Sequence, residues 1–125
     1  MERGRQLRVL NEVDIALDPF PFNGSTTTFE ALWMGVPVVT LRGERFVGRV
    51  GSSVLTALGL PELIATTAAD YVARAVALAR DAERRRRLRR ELRPRLKASA
   101  LMDAPAHARA VEAAYRYFWT KGANP

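Results

Sequence analysis

The stretch Asp18–Thr40, DPFPFNGSTTTFEALWMGVPVVT, decides how this chain is read. Two prolines and a glycine break the chain between Pro19 and Gly24. Ser25, Thr26, Thr27 and Thr28 follow without interruption. Phe29, Leu32, Trp33 and Met34 have helical rather than alternating spacing, so STTTFEALWMG reads as a helix with Gly35 as its C-terminal cap. VPVVTL, 36–41, is then a buried strand that tolerates Pro37 near its start. Upstream, EVDIALD, 12–18, is a buried-strand candidate rich in apolar residues.

Outward from this centre the alternation continues. A turn at Gly43 leads into a helix expected to end near Leu58, and ELIA, 62–65, reads as a third short strand. Thr66 or Thr67 is placed to cap a helix through AADYVARAVALAR. On the arginine-rich segment after it, Leu88, Leu92 and Leu96 form an i, i+4 stripe, and Pro94 is expected to end or kink that helix. A last helix is expected to be capped near Asp103, with Val111, Ala114, Tyr115 and Phe118 as its apolar face. Strands alternating with helices predict an α/β fold, a parallel sheet with helices on both faces. Three visible strands correspond to half of a doubly wound domain.

Composition narrows the chemistry. The 125 residues contain no cysteine, which removes disulfides, zinc–thiolate sites and cysteine nucleophiles, and fits a reducing, cytoplasmic setting. No apolar run approaches the length of a membrane span, and the first residues lack a signal-peptide core. The net charge of +7 is local: residues 80–97 hold nine arginines and one lysine against three acids, and the remainder balances. Clustered arginine suggests nucleic-acid binding. The leucine stripe, however, buries one face and leaves the arginines as a solvated one, and few aromatics interleave, so nucleic acid is not an expected partner. His107 is the only histidine and makes no metal site by itself. Trp33 and Trp119 read as packing residues, and Arg45 and Arg49 as surface residues near the same sheet edge.

The hydroxyl run has two readings. Ligands of open α/β sheets sit outside the carboxyl ends of the strands, where the loop 18–25 lies. A helix N-terminus there offers unpaired N–H groups and the equivalent of roughly +0.5 charge, which suits a phosphate. Thr26 and Thr27 would add hydroxyl donors, Gly24 would allow close approach, and Glu30, further into the helix, could accept both hydroxyls of a ribose. Ordinary N-capping, by contrast, needs one hydroxyl. Spacing alone leaves both readings open.

VDIALDPFPFNGSTTTFEALWMGVPVVTLRGERFVGRVGSSVLTALGL strongly resembles the C-terminal catalytic region of the O-linked N-acetylglucosamine transferase family, which includes the plant SPINDLY proteins and bacterial members with tetratricopeptide repeats. The resemblance runs from about Asn11 to Trp119 and includes ELIA, DYVARAVALARD, LRRELRPRLKASALMD and EAAYRYFW. It implies a partial Rossmann-like C-terminal lobe of a two-lobed GT-B glycosyltransferase. Residues 1–125 would be part of the nucleotide-sugar-binding lobe, with sheet and site in 12–65 and a helical segment over 68–120. Thr26 and Thr27 match the paired threonines that bind the donor diphosphate, Gly24 and Ser25 belong to the same loop, and Glu30 matches the acidic residue that binds the ribose. Neither a catalytic residue nor a metal or other cofactor is implied within the chain.

Ser25 departs from the family, where a histidine often stands. The STTTFEALWMGVP form looks more like the SPINDLY branch, which includes O-fucosyltransferases using GDP-fucose. UDP-N-acetylglucosamine is the donor expected by default, with GDP-fucose as the alternative. A non-catalytic nucleotide-binding or interaction module is the other reading. The partners implied are a nucleotide sugar and a protein acceptor. The family's N-terminal lobe, repeats and the first half of the C-terminal lobe are not in this sequence, so the chain reads as a fragment expected to be inactive alone. An exposed sheet edge and a final helix without its partner surface predict self-association.

Overall fold

The computed structural model describes residues 3–122. Its elements are α1 (Arg3–Val9), β1 (Ala16–Leu17), α2 (Thr26–Trp33), β2 (Val38–Leu41), α3 (Val50–Ala57), β3 (Ile64–Ala65), α4 (Ala68–Arg80), α5 (Ala82–Ala98) and α6 (Ala104–Gly122). Short 3₁₀ turns cover Leu10–Glu12, Phe46–Gly48, Pro61–Leu63 and Ala100–Met102. The sheet is parallel, in the order β1-β2-β3, with Ala16 opposite Val38 and Thr40 opposite Ile64. This is the three-stranded α/β arrangement expected from the alternation of elements.

The strands are shorter than their apolar runs. Of 12–18 only Ala16–Leu17 is strand: a 3₁₀ turn takes Glu12, and 13–15 form no regular element. Pro61–Leu63 likewise forms a 3₁₀ turn and reduces the third strand to two residues. Val36 and Pro37 are buried ahead of β2, so an apolar run there reports burial rather than ladder pairing. The helix expected from Gly43 to Leu58 is a 3₁₀ turn followed by α3.

β2 is the centre of the core. Val38, Val39 and Thr40 are all buried, as a central strand covered on both faces requires. α2, α3 and α4 all pack against it. Leu32, Leu55, Leu63, Leu78 and Leu92 complete a continuous apolar cluster, each contributing about 1.5–3 kcal/mol on full burial. Gly35 has φ +78°, and an added Cβ would lie 2.6 Å from the Arg89 carbonyl oxygen. That glycine therefore ends α2 and also lets α5 approach it.

α5 excludes one of the two outcomes expected at Pro94, an end or a kink. It does not end at Pro94 but runs on to Ala98. Leu88, Leu92 and Leu96 are buried along one stripe and hold both sides of the proline in place, while Pro94 faces solvent. The arginines beside that stripe are used in a way the sequence did not suggest. Arg85 donates to the carbonyls of Leu78 and Ala79, Arg89 to those of Leu10, Asn11 and Val13, and Arg93 to that of Trp33. Spaced four apart, the three guanidinium groups dock α5 onto main-chain carbonyls of α4, of the approach to β1, and of the end of α2. Arg93 and Lys97 also lie over the Trp33 ring, which packs against the core cluster.

α6 is capped as expected, with Asp103 accepting from the Ala106 N–H at 2.9 Å. Of its expected apolar face, Val111, Ala114, Tyr115 and Phe118, no residue is buried: Tyr115 and Phe118 are 71 and 67% exposed, and Trp119 beside them is 79% exposed. Among the described residues no helix is long and apolar enough to cross a membrane.

Candidate functional site

β1 ends at Leu17, opposite Val39, and β2 runs two residues further to Leu41; a loop leaves each strand at this edge. The first, 19–25, carries Pro19 and Pro21 and reaches α2. The second, 42–49, lies beside it, with the Asn23 N–H donating to the Val47 carbonyl at 2.9 Å. Phe22 points outward, 68% exposed, and Phe20, 53% exposed, has one ring contact, edge-on to Tyr71 with centroids 5.6 Å apart, so little apolar packing holds the first loop. Polar groups hold it. The buried Asp18 carboxylate accepts the Gly24 N–H at 2.8 Å and the Thr40 hydroxyl at 2.6 Å. Its main-chain oxygen accepts the Tyr71 hydroxyl at 3.0 Å. The buried Asn23 side chain donates to the Pro19 carbonyl at 3.0 Å and accepts the Gly51 N–H at 3.3 Å.

Burial raises the Asp18 carboxyl above its ordinary value, against the opposing effect of the Thr40 and Gly24 hydrogen bonds. The Tyr71 phenol is also raised, first by burial and then by the Asp18 charge. Gly51 is where α3 meets this group. A Cβ there would overlap Asp18 Oδ2 and come within 2.5 Å of Thr40 Oγ1. At Gly24 a Cβ would come within 2.6 Å of Thr27 Oγ1 and 2.8 Å of Thr28 Oγ1. Asp18, Asn23, Thr40 and Gly51 were not singled out from the sequence. The available signal was positional: Asp18 and Thr40 are each the first polar residue at the carboxyl end of an apolar run.

The hydroxyl run begins α2. Ser25 is the N-cap residue, yet its side chain makes no capping hydrogen bond. Elsewhere in the chain Thr67, Asp81 and Asp103 do cap, accepting from the N–H three residues on. The run is therefore not serving as a cap at Ser25. Ser25, Thr26 and Thr27 are exposed, while Thr28 is buried. Thr26 and Glu30, one turn apart, line one cavity of about 380 Å³ together with Leu7, Phe29, Trp33 and Met102. Thr27 does not line it; its hydroxyl oxygen lies against Gly24. Gly24 is thus shaped by the threonines beside it, and its N–H belongs to Asp18.

A second cavity, about 630 Å³, opens between α3 and β3, with Arg42, Phe46 and Arg49 in its wall. None of Gly24, Ser25, Thr26, Thr27 or Glu30 borders it. Arg45 is exposed, and Arg49 donates to the Gly43 carbonyl at 3.3 Å. No group of three or more potential metal ligands occurs among the described residues.

Residues 3–111 match the family described as Glycosyl transferase family 41. The chain belongs to that family. It is 44% identical over 107 residues to a Hordeum vulgare protein named "Probable UDP-N-acetylglucosamine--peptide N-acetylglucosaminyltransferase SPINDLY", covering 86% of this chain and 11% of that protein. The Arabidopsis thaliana protein of the same name is 43% identical, covering 87% of this chain and 12% of that one. A Caenorhabditis elegans UDP-N-acetylglucosamine--peptide N-acetylglucosaminyltransferase is 36% identical over 86% of this chain and 9% of its own length. Among solved structures, a mutant of the Thermobaculum terrenum O-GlcNAc transferase superposes with a TM-score of 0.88 at 44% identity, over 95% of this chain and 23% of that one. The fold is that of the corresponding part of a GT-B glycosyltransferase lobe. The chain spans about a tenth of the length of the curated relatives it matches.

Proposed function

We propose that this chain is one wall of the donor site of a protein O-glycosyltransferase, with UDP-N-acetylglucosamine as the donor. In this reading the first-turn N–H groups of α2, the Gly24–Ser25 loop and the Thr26 and Thr27 hydroxyls face the donor diphosphate, and Glu30 accepts from the ribose hydroxyls. One observation carries it: Ser25 makes no capping bond, leaving the run Ser25–Thr27 exposed, while Glu30 and Thr26 border the same cavity. A run of hydroxyls not used to cap its own helix is available to a ligand, and a helix N-terminus favours an anion.

The chemistry follows from the leaving group. Transfer of a sugar to a protein hydroxyl expels a nucleoside diphosphate, and donors already in place where that charge develops lower the barrier. The acceptor must be held by other parts of a longer protein. The 125-residue chain is accordingly expected to bind nucleotide weakly and to transfer nothing. The names of the plant and nematode relatives support UDP-N-acetylglucosamine over GDP-fucose as donor.

Titration of the ¹⁵N-labelled chain with UDP at millimolar concentration tests the reading. Shift changes centred on Thr26, Thr27 and Glu30, lost in a Thr26→Val, Thr27→Val double variant, are expected. An unresponsive α2 N-terminus, or robust transfer by the chain alone, would overturn it.

A further inference from the structure

We infer that Asp18 is a positioning residue: its buried carboxylate clasps the loop 19–25 and so sets where α2 begins. Of the loop's phenylalanines, Phe22 faces solvent and Phe20, half exposed, meets the Tyr71 ring edge-on at 5.6 Å, so apolar packing touches the loop at one point and leaves the turn at Gly24 to polar groups. The six-residue span from Asp18 to Gly24 is closed by the carboxylate itself, and the same carboxylate ties the span to Thr40 on β2. Gly51, with no side chain, leaves the space that the carboxylate occupies, and Asn23 fastens the loop's far side to the Gly51 N–H. Three elements, β1, β2 and α3, thereby locate one loop.

Neither of the two donors to the carboxylate is a cation. Burying a charge in this way is a poor route to stability, and an apolar substitute of equal volume often serves as well or better. What an apolar group could not do is accept the Gly24 N–H, which directly precedes the hydroxyl run. The carboxylate also takes that N–H away from any ligand, leaving anion contact to the groups from Ser25 onward.

That this positioning serves donor binding rests on the function proposed above; the clasp itself does not. Asp18→Asn replaces one acceptor by a donor at equal volume. Thr40→Val removes one hydrogen bond and keeps the charge, and Thr40→Ser restores it. Two readouts are taken on the full chain: amide hydrogen exchange at Gly24 and Gly51, and the UDP titration. Folded Asp18→Asn and Thr40→Val chains are expected to exchange Gly24 at least about tenfold faster with core amides such as Val39 unchanged. They are expected to bind UDP at least about tenfold more weakly, with Thr40→Ser close to the parent. Unchanged Gly24 exchange overturns the clasp, and faster exchange with unchanged UDP affinity overturns its positioning role. If the parent chain itself ignores UDP, the proposed function fails and Gly24 exchange alone decides the clasp. Loss of fold in both Asp18→Asn and Thr40→Val would assign the carboxylate to global stability and overturn the inference.

Discussion

Asp18 and Thr40 lie 22 residues apart and meet at 2.6 Å, fully buried, at the carboxyl edge of the sheet. The parallel register makes them neighbours: Leu17 is opposite Val39, and the Asp18 N–H donates to the Val39 carbonyl at 2.9 Å. Removing the hydroxyl leaves the carboxylate short of a partner in a place water does not reach. Thr40→Val is expected to destabilise the chain by about 1–3 kcal/mol, and Thr40→Ser by much less. Urea denaturation of both variants measures the difference.

Gly51→Ala places a methyl group onto that same pair. A cost of about 1–3 kcal/mol is expected, as for other overpacked positions. Gly59→Ala is the control. Gly59 has φ +67° and open space around it, so alanine there costs about 1–2 kcal/mol through backbone strain. Only Gly51→Ala should shift the amide resonances of Gly24 and Thr40.

The arginines of α5 are not equivalent. Arg89 donates to three carbonyls ahead of β1, whereas Arg87 is exposed. Arg89→Met keeps the aliphatic stem and removes these bonds, with an expected loss of about 1.5–3 kcal/mol. Arg87→Met should stay within about 0.5 kcal/mol. Thermal denaturation of the two variants side by side provides the check.

The raised Asp18 carboxyl predicts a pH dependence. Unfolded, the group titrates near 3.8, and in the folded chain burial moves it higher despite its two hydrogen bonds. Between these two values the folded state holds the proton more strongly. This group's contribution is therefore complete below the unfolded value and is lost as pH rises through the folded one. From pH 3.5 to 7, the parent chain should lose stability relative to Asp18→Asn. Urea midpoints across that range measure it, and the opposite slope would mean the hydrogen bonds outweigh burial.

α6 projects an uncovered apolar face. Ending the chain after Asp103 is expected to change the stability of the rest by less than about 0.5 kcal/mol, because no residue of α6 is buried. The full chain is expected to self-associate through Tyr115, Phe118 and Trp119, and the shortened one to do so less. Sedimentation velocity over a concentration series compares them.

The alternation of strand and helix, the start of α2, the Gly35 cap and the leucine stripe of α5 were all legible in the sequence, because each is local or periodic. Strand lengths were not. An apolar run shows that residues are buried, while ladder pairing depends on the neighbouring strand, and 3₁₀ turns claimed the ends of two runs. Of the two outcomes expected at Pro94, an end or a kink, the end does not occur, for a related reason. The proline's local cost is real, but buried Leu92 and Leu96 on either side carry the helix past it.

The candidate site divides along the same line. Gly24, Ser25, Thr26, Thr27 and Glu30 are consecutive or one turn apart, so their grouping is visible in the sequence, and that pattern also carried the family resemblance. That the run does not cap at Ser25, that Glu30 shares a cavity with Thr26 but not Thr27, and that Gly24 gives its N–H to Asp18 are decided by tertiary structure. So is the conversion of an arginine run into a set of carbonyl anchors. The sequence determined which residues could carry the chemistry. Strand register, and the close approach allowed at Gly51, brought Asp18 and Thr40 together beneath them, since a hydrogen bond depends on tenths of an ångström between segments far apart in the chain.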